Sequence, residues 1–373
     1  MGPTGDAPHA GRIYFPNLDG LRFIAALSVI VFHIELTKEW FGLPFLLDPV
    51  LAYKLGHLGV VLFFVLSGFL ITYLLLDEQS RGQIRIGPFY LRRVLRIWPL
   101  YYAVVILSLF VLPFIPFFSW PGVPPEAVHQ RLWLKVLLFV AFLPNLIVIR
   151  DFVPYAPQTW SIGVEEQFYL VWPHLISRIR HKTALMLGIV MGHMVLGALI
   201  WRVNLGPDWN EFLRGAYNHS NFDCLALGGL AAVGLYESRR WLLMLVNPGV
   251  FAVAAIISAL LILSGPLLEY RLYAIPFALL VVNLAADPRM SEWLEARLFR
   301  YLGAISYGLY MWHFVAIVTA LKILQSIGLL FDVLLFPLAI GFSIVLAAVS
   351  HRFLESPFLR RKDRLASAHS GPR

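Results

Sequence analysis

Several ionisable residues stand where an apolar chain should not carry them. The segment LDGLRFIAALSVIVFHIE, residues 18–35, is apolar along most of its length, yet it holds Asp19, Arg22 and His33. Arg22 and His33 are 11 residues apart. At 3.6 residues per turn this is three turns plus about 20°, so both lie on one helix face, about 16 Å apart along the axis. Asp19 precedes Arg22 by three residues and can pair with it. An imidazole suits removal of a hydroxyl proton near neutral pH. A guanidinium suits a phosphate group. A single intramembrane histidine often serves only as an interhelical hydrogen-bond donor. Arg22 on the same stripe favours chemistry.

Two further stretches share this character. QTWSIGVEEQFYLVWP, residues 158–173, places Glu165 and Glu166 side by side in an apolar helix. The two point about 100° apart, so at most one is expected to face the bundle centre. Glu165 shares a stripe with Ser161 and Tyr169, four residues away on either side. The helix dipole would favour one acidic residue near the N-terminus, with Thr159 or Ser161 as cap. It gives no reason for two. RIGPFYLRRVLRIWPLYY, residues 85–102, places Arg92, Arg93 and Arg96 as a basic ridge at the inner mouth of a span. Such a ridge can hold phosphates or simply touch anionic lipid. Asp223, His313 and Ser67 are further intramembrane polar candidates. Ser67 lies beside a glycine that permits close helix packing.

These residues need elements to position them, and the composition says which. The chain has 373 residues, 59% hydrophobic and 14% charged, with mean hydropathy +0.73. A soluble domain carries about 25% charged residues. A soluble fold of this length has too little interior for so much apolar surface. The reading is an all-α polytopic membrane protein. One cysteine, Cys224, excludes an intramolecular disulfide and a multi-cysteine metal site. No nucleotide-binding glycine loop or zincin motif occurs, so neither a bound metal nor a permanent cofactor is expected. Residues 1–15 form a polar tail, not a cleavable signal peptide.

Apolar runs near the 20 residues that span a bilayer fall at about 18–36, 57–76, 97–117, 159–177, 183–202, 222–237, 248–265, 269–286, 303–324 and 329–353. That predicts ten transmembrane helices. A shorter run at 136–149, broken by Pro144, reads as re-entrant. With both termini cytoplasmic, 21 of the 30 Lys and Arg fall on the inner side. This agrees with the positive-inside rule and assigns the basic excess to lipid, not nucleic acid. The membrane unit then covers 16–360, followed by a basic cytoplasmic tail, 361–373.

A basic inner mouth with a histidine and a glutamate deeper in the bundle fits transfer of a group from an inner donor to an outer acceptor. At these residues the chain resembles the acyltransferase 3 family of bacterial membrane O-acyltransferases. The matching motifs occur in order: LDGLRFIAALSVIVFH, FFVLSGFLI, FYLRRVLRIWPLYY, TWSIGVEEQFYLVWP, ISYGLYMWH and HRFLESP. The resemblance implies a multi-pass protein of the bacterial inner membrane. It implies cytosolic acyl-CoA, usually acetyl-CoA, as donor substrate and a sugar or glycan hydroxyl as acceptor. The family's Arg-x10-His pair falls on Arg22 and His33, its RxxR pair on Arg93 and Arg96, its acidic residue on Glu165, and its C-terminal Glu-x-Pro on Glu355 and Pro357. His33 and Glu165 are then the catalytic candidates, and Arg22, Arg92, Arg93 and Arg96 the donor-binding ones. Asp19, Ser67, Glu166, Tyr169, Asp223, His313 and Glu355 support them.

Many relatives carry a further extracytoplasmic hydrolase-like domain. The chain ends 16 residues after Pro357, so none is expected here. Transfer would be completed either by this chain or by a separate extracytoplasmic partner. The competing reading is a glycan or lipid-linked sugar transporter whose buried charges line a substrate path. No inverted repeat between the halves supports it.

Overall fold

The computed structural model describes residues 13–263 and 270–361. The chain is helical throughout, with no strand among the described residues beyond one isolated bridge between Trp120 and Val123. Most of the predicted N-terminal tail and nearly all of the C-terminal tail lie outside the described residues.

Each predicted apolar run is occupied by a helix. We label these ten α1 (Leu18–Trp40), α2 (Pro49–Ser80), α3 (Ile86–Phe110), α4 (Thr159–Arg178), α5 (Lys182–Arg202), α6 (Phe222–Tyr236), α7 (Pro248–Leu263), α8 (Ala274–Ala286), α9 (Ser306–Ser326) and α10 (Asp332–Ser350). Among the described residues, six helical stretches are long and apolar enough to cross a membrane, those that begin α1, α2, α3, α5, α9 and α10. A bent pair, Arg271–Ala286 with Arg289–Glu295, would make a seventh. The other helices fall short for physical reasons. At 1.5 Å per residue, α6 and α8, of 15 and 13 residues, are shorter than a 30 Å hydrocarbon layer. The 20-residue α4 is long enough, but its glutamates dilute its apolar character.

Helix α3 begins at Ile86, eleven residues before the predicted span. The arginine ridge is therefore inside a helix and not in a loop. The stretch at 136–149 is a broken helix, Leu132–Val140 followed by Pro144–Ile147. Phe142 at the break has φ +55°. Its carbonyl accepts a hydrogen bond from Gln167 Nε2 at 2.8 Å, and the same nitrogen donates to Asn145 Oδ1 at 2.9 Å. The break is thus clipped to α4 by the residue that follows Glu166.

Close backbone approach sets the centre of the bundle. Helix α2 packs against α1 and α6, and α9 packs against α10 and α1. A Cβ on Gly68 would stand 1.9 Å from the Leu225 carbonyl oxygen, and one on Gly228 2.1 Å from that of Val65. Both positions therefore exclude any side chain, as the glycine beside Ser67 suggested. Gly59 permits the same approach of α2 to α1 at Ala25. These contacts place Ser67 of α2, Arg22 and His33 of α1, and the inner face of α4 around one axis.

Candidate active site

The first-helix stripe forms as its spacing predicted. Arg22 Nη1 donates to Asp19 Oδ1 at 3.2 Å, and both side chains are about three-quarters buried. Farther along α1, the His33 ring lies 4.7 Å from that of His313 on α9, tilted by 30°. Phe314 packs on both imidazoles, at 4.6 and 4.5 Å. His313 is completely buried. Its Nδ1 lies 2.6 Å from the Tyr310 carbonyl oxygen, which can only accept, so Nδ1 carries the proton. Nε2 is then a bare lone pair, and it has no hydrogen-bond partner. His33 is half-buried, and its Nδ1 likewise lacks a well-formed hydrogen bond. Two imidazoles with unused nitrogens therefore face each other within the bundle.

The arginines meet Arg22 lower in the same bundle. Arg22, Arg93 and Arg96 lie within electrostatic range of one another. The Arg93 guanidinium sits over the rings of Tyr169, 5.7 Å away, and Phe89, 5.9 Å away, with its Nε buried and unpartnered. No ion pair joins Arg93 or Arg96 to a carboxylate among the described residues. Arg92 turns the other way. Its Nη2 donates to Glu78 at 3.1 Å, and Arg85 shares that carboxylate. The ridge thus divides into a paired arginine against α2 and two inward ones.

Both glutamates face inward, contrary to the expectation that at most one would. Helix α4 is flanked by α2 and α3, so two directions 100° apart are both interior. Tyr169 donates to Glu165 Oε2 at 3.3 Å, and the Tyr169 and Ser67 hydroxyls are 2.5 Å apart. Trp98 of α3 donates to Glu166 Oε2 at 3.2 Å, while Oε1 is buried with no partner. Arg93 is a near charge to both carboxylates. The first turn of α4 contains no acidic residue, and Thr159 and Ser161 donate backwards instead of capping. A helix-dipole explanation of the pair therefore fails. No hydrogen bond joins Glu165 to His33 among the described residues; the imidazole beside His33 is His313.

Helix α9 connects the two levels. The Tyr310 hydroxyl lies 2.7 Å from Ser161 Oγ, and Gln158 Nε2 donates to the Met311 carbonyl at 2.8 Å. One turn towards the arginines, the Tyr307 hydroxyl donates to the Ile97 carbonyl at 2.8 Å. Glu355 lies near Tyr307 and Arg96 and accepts from Ser350 at 3.2 Å. The HRFLE segment that holds it, His351–Glu355, is a single π-helical turn at the end of α10. Such turns are frequent at functional sites, and no residue pattern announces them.

Asp223 does not join this column. It pairs with His193 of α5 at 3.4 Å and Arg271 at 3.6 Å, in a separate cluster. Sequence reasoning passed over His193, Arg271, Trp98, Tyr307, Tyr310, His57 and Glu78. Tyr310 had a local signal, three residues before His313. His57 bonds the Tyr53 carbonyl one turn away in its own helix, and the others take their partners mainly from tertiary packing. Among the described residues no group of three or more His, Cys, Asp or Glu could hold a metal ion.

These elements define a helical membrane protein with a histidine pair at one level of its bundle and unpaired arginines at another. The chain belongs to the acyltransferase 3 family, whose model, described as an acyltransferase domain, matches residues 15–350. Among curated proteins it is similar to the peptidoglycan O-acetyltransferase OatA of Listeria monocytogenes. The two are 27% identical over 93% of this chain and 56% of that protein. It is also similar to the O-acetyltransferase OatA of Staphylococcus aureus, with 27% identity over 94% of this chain and 58% of that one. The chain thus spans a little over half the length of these relatives. No solved structure matches it.

Proposed function

We propose that the chain is an integral membrane O-acyltransferase that moves an acyl group, usually acetyl, from cytosolic acyl-CoA to a hydroxyl of a cell-envelope glycan outside the membrane. The observation that carries this reading is the His33–His313 ring contact, on the helix whose other end presents Arg22 beside Arg93 and Arg96. Phosphates held by the three arginines would leave the pantetheine arm to run the roughly 16 Å from Arg22 to His33. The guanidinia of Arg93 and Arg96, without carboxylate partners among the described residues, suit an anion that arrives from outside the protein.

At the upper level the acceptor hydroxyl attacks the thioester carbonyl. An imidazole nitrogen takes the hydroxyl proton, the C–S bond breaks, and the CoA thiolate leaves. We assign the proton to His33, because it is the half-buried member of the pair and a base must reach the hydroxyl within about 2.6–3.2 Å. His313, its proton committed to the Tyr310 carbonyl, orients the His33 ring and offers Nε2 as a second acceptor. The Glu165–Tyr169–Ser67 chain then belongs with the arginines and the donor. This differs from a triad in which Glu165 would hold His33.

The reading includes ten spans with both termini cytoplasmic, supported by the distribution of Lys and Arg; the short α8 would cross together with the helical turn Tyr270–Tyr273 that leads into it, and α6 together with the residues that flank it. A reporter active only in the cytoplasm should work after Ser80 and at Arg373 and fail after Trp120 or Asp208. Activity at Asp208 would break the topology from α3 onward. The chemistry is tested in purified protein with labelled acetyl-CoA and soluble peptidoglycan fragments. Acetyl ester should form on the glycan and depend on His33.

A further inference from the structure

The outer end of the bundle has a second polar site that the column does not use. The amphipathic helix Pro207–Asn218 lies across the Val148–Ile149 turn, and together they border an open cleft of about 590 Å³. That is within the about 300–1,000 Å³ usual for small-molecule sites. Gly215 allows the close approach, since a Cβ there would stand 2.7 Å from Ile149 Cγ2. The helix is pinned at its far end. The Tyr217 ring stacks on His193 at 4.6 Å and lies under the Arg271 guanidinium at 4.2 Å. Arg271 also donates to the Tyr217 carbonyl at 2.8 Å. Asp223 holds both His193 and Arg271. The wall of the cleft is therefore fixed before any ligand arrives.

The lining is chemically mixed. Glu211, Arg214, Asn218 and His219 face apolar Val148 and Ile149. Arg214 lies over the Trp201 ring at 4.5 Å, with its Nε buried and unpartnered. His219 Nδ1 is 2.9 Å from the Gly215 carbonyl oxygen, so Nε2 is left as an acceptor. Burial, its largest influence, holds this imidazole below its ordinary pKa and so favours the neutral form. One guanidinium beside one carboxylate, with an amide and an acceptor imidazole, is a poor phosphate site. It suits a ligand that offers donors and acceptors all round and an apolar face to Ile149, as a sugar ring does.

Side-chain contacts join the wall of the cleft to the level of the imidazole pair. Trp160 meets the His219 ring edge-on at 4.8 Å, and its neighbour Ser161 meets the Tyr310 hydroxyl. His57 lies within electrostatic range of both His219 and His33. We infer that the cleft between helix Pro207–Asn218 and the Val148–Ile149 turn is the acceptor subsite, holding a segment of glycan. The word acceptor rests on the acyl-transfer reading above; the glycan chemistry does not.

The test uses the full chain in nanodiscs and measures direct binding of two probes by calorimetry. One is chitotetraose; the other is the peptidoglycan tetrasaccharide, which adds lactyl carboxylates. The wild type should bind at least one. Arg214→Ala and Glu211→Gln should each weaken binding by roughly tenfold or more, the effect of removing a hydrogen bond to a charged group. Acyl-CoA binding should be unchanged. Arg214→Lys, which keeps the charge and loses the planar fork, should weaken it in the same direction and covers poor folding of the alanine variant. Failure of the wild type to bind either probe overturns the proposal. So does unchanged affinity in the Arg214→Ala/Glu211→Gln double variant. Acyl-CoA turnover is recorded in parallel. Glycan binding that depends on these residues, in a protein with no acyl-CoA turnover, supports the glycan site and overturns the acyl-transfer reading.

Discussion

The central column and the Asp223 cluster are both built from ionisable side chains inside an apolar bundle, but they treat those charges in opposite ways. Around Asp223, the carboxylate has the Arg271 guanidinium at 3.6 Å and the His193 imidazole at 3.4 Å, and Arg271 donates to the Tyr217 carbonyl as well. In the column, Arg93 and Arg96 have no carboxylate within ion-pair distance among the described residues; single buried atoms without a hydrogen-bond partner occur in both clusters, Glu166 Oε1 and His313 Nε2 in the column and Asp223 Oδ1 and His193 Nδ1 in the other. A buried charge without a partner costs several kcal/mol, and a buried polar atom left unbonded about 1–3. A bundle that pairs the guanidinium of one cluster with a carboxylate and leaves two guanidinia of the other without one has a place there for an anion it does not itself contain. The two clusters thus separate a scaffold from a site, though sequence alone marks both as polar residues in apolar helices.

The largest effect that would sharpen this contrast is at the imidazoles. His33→Ala should lower transfer by roughly 10²–10⁴-fold, the range for loss of a positioned acid or base. Donor affinity and expression should hold. His313→Ala should lower turnover too, by less, because it removes the neighbour that orients the base. Rates in purified protein with saturating acetyl-CoA check both. If His33→Ala keeps more than a few per cent of wild-type turnover while His313→Ala is dead, the base is His313.

The second test falls on the scaffold. Asp223→Asn leaves Arg271 buried without its counter-charge and takes the carboxylate from beside His193. Breaking a buried ion pair from one side costs about 3–5 kcal/mol. The apparent Tm in detergent should drop by several degrees, with donor affinity little changed. A variant with an unaltered Tm and lost donor binding would move Asp223 into the site and dissolve the comparison.

The arginines come next. A hydrogen bond to a charged group contributes about 1.5–3 kcal/mol, so Arg93→Ala and Arg96→Ala should each weaken acyl-CoA binding by roughly 10- to 150-fold. Arg92→Ala should have almost no effect, because its guanidinium is already engaged by Glu78. Titration of a non-hydrolysable acyl-CoA analogue against the three variants decides this. Equal losses in all three would make the ridge a general basic surface.

Much of this was legible from spacing because helices have a fixed period. The three-turn separation of Arg22 and His33, the Asp19–Arg22 pair, the Glu165–Tyr169 contact and the intimacy around Gly68 all follow from local geometry or residue size. The long-range juxtapositions did not. Nothing within α1 says that His33 will meet His313 of α9, 280 positions away. Nothing in the arginine ridge says that Arg92 will turn to Glu78 while Arg93 turns in, because a helix has no inside until its neighbours are placed. The 15-residue α6 and 13-residue α8 read as spans by hydropathy, yet their helices are too short to cross alone. Helix α6 starts where Asn221 takes a left-handed turn, φ +46°, which composition does not encode. The π-helical turn that holds Glu355 is likewise a packing result.

The smallest effect separates the two glutamates. Glu165 accepts from Tyr169 beside Ser67, whereas Glu166 accepts from Trp98 with only one of its oxygens. An amide keeps a carbonyl oxygen, so Glu166→Gln can retain the Trp98 bond and give its NH2 the place of the unpartnered Oε1. Glu165→Gln can also accept from Tyr169, but it removes a charge from a chain of hydroxyls next to Arg93, where no other acidic residue bonds. Turnover should therefore fall several-fold in Glu165→Gln, with affinity less affected, and by less in Glu166→Gln. Steady-state kcat and KM for acetyl-CoA, measured on both variants and on Tyr169→Phe, resolve this. Tyr169→Phe should resemble Glu165→Gln if the hydroxyl chain is the functional unit. A Tyr169→Phe variant with wild-type kcat, beside an impaired Glu165→Gln, would instead make the carboxylate a direct counter-charge to Arg93 and leave the tyrosine as packing.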